Sequence, residues 1–160
     1  DDDAKMALAI RLSALNVAHG SGGPFGAALF SPEGRLIGVG VNRVVPHSTS
    51  IAHAEMMAFA TSQQRVQQFR LNAERGPITL ATSSQPCCMC YGASVWAGID
   101  RLLIGARAED VESLAGFDEG PLPADWRGEL QKRGITVVTD LRRDEARAVL
   151  AEYGRSGKVY

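Results

Sequence analysis

Two short clusters, His53-Ala54-Glu55 and Pro86-Cys87-Cys88-Met89-Cys90, constrain this chain more than any other feature. They offer three metal ligands, His53, Cys87 and Cys90, and one carboxylate, Glu55, that is not needed as a ligand. Three protein ligands leave a tetrahedral zinc with one open position, the arrangement of a catalytic rather than a structural site. A metal lowers the pKa of a water held there toward neutrality, and Glu55, two residues from His53, is close enough to handle its proton. Each cluster falls at a predicted helix N-terminus, where unpaired N–H groups and the helix dipole favour thiolate. Cys87 and Cys90 are three apart and share one helix face. Cys88 is turned about 100° away, toward the core or the back of the helix. Taken alone, C-x-x-C also suits redox chemistry or a structural zinc, and H-x-E is common helix surface. The combination, without a fourth protein ligand, favours the catalytic reading.

Composition narrows the setting. A chain of 160 residues, 45% hydrophobic and 22% charged, suits one globular domain over residues 1–160 with a real core. A net charge of −1 gives no electrostatic reason for strong nucleic-acid binding. The three cysteines are odd in number and all lie within 87–90. They cannot build a disulfide framework, which points to metal or redox use in a reducing compartment, expected to be the cytoplasm. The longest early apolar run, Met6–Ile10, is too short for a membrane span or a signal-peptide core.

Leu8, Leu12 and Leu15 at helical spacing predict a first helix from about Ala4 to Ala18, ended by Gly20 and capped by His19. Phe25–Phe30 and Arg35–Val41 read as a hairpin around the turn Ser31-Pro32-Glu33-Gly34. Pro46–Ser50 reads as a loop delivering His53 to a second helix that runs to about Phe69. Ile78–Thr82 is a third strand. Pro86 suits the first position of a third helix, ending at Ala97 before Gly98. Leu102–Ile104 and Ile135–Val138 complete a set of five strands, and Arg142–Tyr153 reads as the last helix. The stretch from Ala108 to Gly128 is the least regular. The order β-α-β-α-β after a hairpin predicts a three-layer α/β/α sandwich around a five-stranded mixed sheet, with parallel pairing beyond the hairpin.

The pairing of H-x-E with P-C-x-x-C is the signature of zinc-dependent deaminases, and the chain resembles the cytidine-deaminase-like superfamily, within it the bacterial guanine deaminase group. The likeness covers nearly the whole chain. It runs through Gly22-Gly23-Pro24-Phe25-Gly26-Ala27-Ala28, Gly40-Val41-Asn42-Arg43-Val44, the two metal clusters, and Gly116-Phe117-Asp118-Glu119-Gly120-Pro121. The last is the most discriminating for guanine deaminases of this fold.

The resemblance implies one Zn2+ per chain on His53, Cys87 and Cys90. It implies hydroxide on the metal attacking the amine-bearing ring carbon of guanine, with Glu55 as proton shuttle, to give xanthine and ammonia. It implies that Glu119 helps protonate the departing amine or holds the amino group. Asn42 would hydrogen-bond the ring edge, Phe25 and Phe117 would wall or cover the pocket, and the backbone around Ala54 would donate to the substrate oxygen. A homodimer is implied, with the C-terminal segment from about 140 to 160 a candidate for exchange between subunits and a lid over the partner's site. From its type alone, Glu119 reads as a solvated loop acid, Asn42 as a turn residue and Phe25 as core. Trp96 reads as core or subunit contact. Two departures from many relatives stand out: Gln85 replaces a Glu before Pro86, and Pro46–Ile51 lacks an Asp-Pro-Thr stretch. The second borders the substrate. It leaves room for other amino-heterocycles such as ammeline, cytosine or cytidine, and a tRNA adenosine deaminase is the competing nucleic-acid reading.

Overall fold

In the computed structural model, which describes residues 1–158, five strands form one sheet. They are β1 (Gly26–Phe30), β2 (Leu36–Val41), β3 (Thr79–Ser84), β4 (Arg101–Ala106) and β5 (Thr136–Val138), in the order β2-β1-β3-β4-β5. β1 pairs antiparallel with both β2 and β3, and β3, β4 and β5 run parallel. Parallel pairing therefore begins at β3, one strand later than the hairpin boundary implied.

Side chains alternate across the central strands. Ala27, Leu29, Leu80, Leu102 and Ile104 join one apolar cluster, and Ala28, Phe30, Ala81 and Leu103 join another on the opposite face. A sheet covered on both faces needs apolar residues at every position, which is why these strands read as continuous runs. One face is covered by α1 (Asp2–Ala18) and α7 (Arg143–Arg155), and the other by α3 (Ala54–Val66) and α4 (Cys88–Ala97). The α/β/α sandwich expected from the sequence is the observed fold.

Local chemistry sets the helix ends. Asp1 caps α1, its carboxylate accepting from Ala4 N–H at 2.7 Å. Its buried stripe is Met6, Ala9, Ile10, Ser13 and Asn16, offset from the leucine repeat that marks the helix in the sequence. Gly98, with φ of 79°, closes α4 as expected. α3 stops at Val66 rather than Phe69 because Gln67 turns left-handed, with φ of 57°. A Cβ on Gly40 would stand 2.1 Å from the Ala54 carbonyl oxygen. Only glycine lets β2 meet the start of α3 so closely.

Three further expectations are corrected. Residues 44–47 form a short helix, α2 (Val44–His47), where a loop was expected, and Ser48 ends it in a left-handed conformation. Pro86 precedes the N-cap Cys87 of α4 instead of occupying its first turn. The irregular stretch holds α5 (Ala108–Asp110), a π-helical turn (Val111–Ala115) and α6 (Trp126–Lys132), the last capped by Asp125 accepting from Gly128 N–H at 3.0 Å. Each is too short to show a helical period in sequence.

Candidate active site

The two metal clusters meet because both occupy the same structural position. His53 is the N-cap of α3 and Cys87 the N-cap of α4, each in extended conformation. Neither side chain caps its own helix, so both are available to a ligand. His53 Nδ1 lies 3.3 Å from Cys87 Sγ. One donor atom from each of His53, Cys87 and Cys90 falls within 4.8 Å of the others. Tetrahedral zinc with bonds of about 2.0–2.3 Å places its ligands roughly 3.5 Å apart, so this donor set fits one zinc ion.

The electrostatics agree. Cys87 is pulled down to about 4, first by hydrogen bonding from Cys90 and then by His53, against the cost of burial. Cys90 is pushed far upward by its bond to Cys87 and by burial. His53 is raised, chiefly by Cys87. A coordinating metal deprotonates a thiol outright.

Glu55, in the first turn of α3, is 6% exposed. Burial, and then the Cys87 charge, raise it to about 7. A carboxyl poised at neutrality can both take and return a proton. Glu119 arrives from the other side. Burial, then the charges of Glu55 and Cys87, push it up to about 9, and its Oε2 is buried without a hydrogen-bond partner in the protein. The segment that carries it is tied to the metal helix by Cys88 N–H donating to the Glu119 carbonyl at 2.8 Å. Gly120 sits against the Cys88 sulfur, which a Cβ would approach to 2.6 Å. Cys88 therefore packs on the Glu119–Gly120 turn and not into the core.

A cavity of about 430 Å³ joins these groups. Of the residues singled out in the sequence, Phe25, Asn42, His53, Ala54, Glu55, Cys87, Phe117 and Glu119 line it, while Cys90 is buried behind. Phe25 and Phe117 meet edge to face at 5.3 Å between ring centres. Asn42 is buried, and its Oδ1 accepts weakly from Gly23 N–H at 3.4 Å and Val44 N–H at 3.3 Å. Asn16 anchors this corner, donating to the carbonyls of Gly23 and Asn42 at 2.8 and 2.9 Å.

Ser50, in the loop Pro46–Ile51 expected to border the substrate, also lines the cavity, and so do Val44, Ser84 and Asp118, to which the sequence reading gave no role. Ser84 had a findable signal: it ends a parallel strand, where ligands of open α/β sheets gather. Trp96 is 78% exposed, which removes its core reading. His47 is exposed, as expected of a surface residue. No helix among the described residues is long and apolar enough to cross a membrane.

A mixed sheet between helices, with one histidine and two cysteines converging from two helix starts, defines a class of protein. The chain belongs to the family of the cytidine and deoxycytidylate deaminase zinc-binding region, whose model matches residues 1–106. Within that class, the solved structure of guanine deaminase from Nitrosomonas europaea is 45% identical, with a TM-score of 0.92 over 96% of this chain and 84% of that one. The guanine deaminase of Bacillus subtilis is 34% identical over 111 residues, 69% of this chain and 67% of its own length. The tRNA-specific adenosine deaminase of Buchnera aphidicola is 30% identical over 130 residues, 81% of this chain and 79% of its own length.

Proposed function

We propose that this protein hydrolytically deaminates guanine to xanthine and ammonia. The observation that carries the reading is the second buried carboxyl, Glu119, which lines the same cavity as Glu55, His53 and Cys87. Support also comes from the likeness to two guanine deaminases. Zinc held by His53, Cys87 and Cys90 would supply the Lewis acidity that makes water a nucleophile at neutral pH.

The chain's own residues do the rest. Glu55 takes a proton from the attacking water and returns it to a ring nitrogen beside the amine-bearing carbon. A carbon–oxygen bond forms there. The carbon–nitrogen bond then breaks once the amine is protonated, since a neutral amine leaves poorly. Glu119, its carboxyl pushed up to about 9 by burial, donates to that amine and is reloaded by the proton that leaves the new hydroxyl as the carbonyl forms, or holds the amine in line. Asn42 hydrogen-bonds the ring edge, the Ala54 backbone donates to the substrate oxygen, and Phe25 and Phe117, packed edge to face on each other, wall one side of the pocket and exclude water. A cavity of about 430 Å³ lies at the small end of ligand pockets, about 300–1,000 Å³. That suits a free base or an aminotriazine such as ammeline.

The working unit in this reading is a homodimer, with exposed Phe69 and Trp96 as candidate contact residues. Its C-terminal segment packs on its own chain: a Cβ on Gly154 would stand 1.9 Å from the Leu114 carbonyl. Exchange would carry those same contacts between copies. The tail proposed as a lid ends in residues 159 and 160, which lie outside the described residues.

Ammonia release by the zinc-loaded protein is the test, measured on guanine, guanosine, adenine, cytosine, cytidine and ammeline, with Glu55→Gln as the blank. Turnover of guanine, alone or with ammeline, is expected. Turnover of cytosine or a nucleoside would keep the chemistry and discard guanine. Silence across the panel, with adenosine deamination in tRNA instead, would favour the nucleic-acid reading.

A further inference from the structure

Three hydroxyl residues in a row, Thr82, Ser83 and Ser84, end β3 beside the cavity. All three are buried, and the fold uses the first two. Thr82 Oγ1 donates to the Ser84 carbonyl at 3.0 Å, and Ser83 Oγ accepts from Gly26 N–H at 3.1 Å. The backbone of Ser84 pairs with Ala106 on β4, and the next side chain, Gln85, accepts from Ala108 N–H at 3.4 Å. Ser84 Oγ stands apart: it is buried, has no hydrogen-bond partner in the protein, and belongs to a residue 4% exposed that lines the cavity.

A buried hydroxyl without a partner is a standing cost to the fold, because it has given up water for nothing. Such a group in a cavity wall is explained when a ligand completes it. The only other cavity-lining side-chain atom in this state among the described residues is Glu119 Oε2. The two therefore mark one surface that is complete only when occupied. Alternation along β3 puts Ser84 on the face opposite Ser83, and the strand leads within three residues to Cys87, beside the reacting carbon.

The geometry points to Ser84 as a specificity residue whose hydroxyl hydrogen-bonds a polar atom on the edge of the bound amino-heterocycle. This rests on the deaminase reading of the same site and adds a contact to it. A hydroxyl can donate or accept, so it serves a ring edge where both kinds of group alternate. A site built to hydrogen-bond its ligand also rejects rings lacking the matching atom.

The test is Ser84→Ala against wild type, both zinc-loaded. Two readouts should move in opposite senses. Without ligand, the variant's Tm should equal or exceed that of wild type, since an unpaired hydroxyl has been removed. With whichever heterocycle of the panel wild type turns over, KM should rise about fivefold, the worth of one neutral hydrogen bond, while kcat stays within about twofold. An unchanged KM overturns the inference. A lowered ligand-free Tm also overturns it, because the hydroxyl then has a partner in the fold. The wild-type panel separates the two claims. If wild type acts on a different amino-heterocycle, the guanine reading falls while the Ser84 comparison proceeds on that compound. If no heterocycle of the panel is turned over or raises the wild-type Tm, both fall.

Discussion

The metal centre and the segment that faces it are built in opposite ways. His53 and Cys87 are N-caps of two regular helices, packed on a sheet buried on both faces. Their positions follow from elements that the rest of the core holds in place. Glu119 lies in a stretch without regular structure, between a π-helical turn and α6. It is held by one backbone bond to Cys88, by the packing of Phe117 on Phe25, and at longer range by α7. The comparison teaches that the ligand set is specified locally, by spacing on a helix, whereas the second carboxyl is specified by tertiary contacts between parts distant in sequence.

Variants can break that contrast at several levels. The largest effect belongs to Glu55→Gln, which should keep zinc and fold but lower kcat by about a thousandfold or more, because the proton has no carrier. Steady-state ammonia release together with metal analysis checks both halves. Cys87→Ala should reduce bound zinc from one per chain to near zero, as two protein ligands do not hold the ion. Metal content of the purified variant would show it, and full zinc retention would remove Cys87 from the ligand set. Glu119→Gln should leave zinc intact and KM near wild type while lowering kcat about a hundredfold.

The smallest effect lies farthest from the chemistry and tests how the irregular segment is supported. Asp110 is 3% exposed and accepts from Arg143 Nε and Nη2 at 2.8 and 2.9 Å, with Arg147 at 3.2 Å. These ion pairs fasten α7 to the start of the π-helical turn that leads to Glu119. Asp110→Asn should cost about 2 kcal/mol, a loss discounted because both arginines are partly exposed. It should lower Tm by about 5 °C. The Arg143 bonds hold the Asp110 carboxyl below its ordinary 3.8. Its contribution is therefore present in full above that unfolded-state value and is lost as pH falls through the lower folded value. Acid unfolding of the variant should lack that part of the pH dependence, which a thermal-melt series from pH 7 downward would reveal.

This difference in construction also explains what could be read from the sequence. The sheet, the four large helices and the three metal ligands were legible because apolar runs, Gly98 and the C-x-x-C spacing are local signals. The face of α1 was not: Leu8, Leu12 and Leu15 announce a helix, but Met6, Ala9, Ile10, Ser13 and Asn16 are what it buries. Gly26, whose Cβ would stand 2.4 Å from the Ala9 carbonyl, brings that stripe against β1. The helices at 108–115 and 126–132 were invisible because none completes enough turns to set a period. Glu119 was accessible only through family resemblance, since a lone acid between glycines and prolines carries no mark of burial. Ser84 escaped notice because serine at a strand end is ordinary until its missing partner is seen.

The most direct test of the central claim, that the irregular segment completes the zinc site, is single-turnover deamination of guanine by zinc-loaded wild type and Glu119→Gln. Saturating enzyme removes differences in binding and product release. The variant is expected to retain zinc, bind guanine and convert that guanine about a hundredfold more slowly. Conversion at the wild-type rate would show that Glu119 takes no part in the reaction.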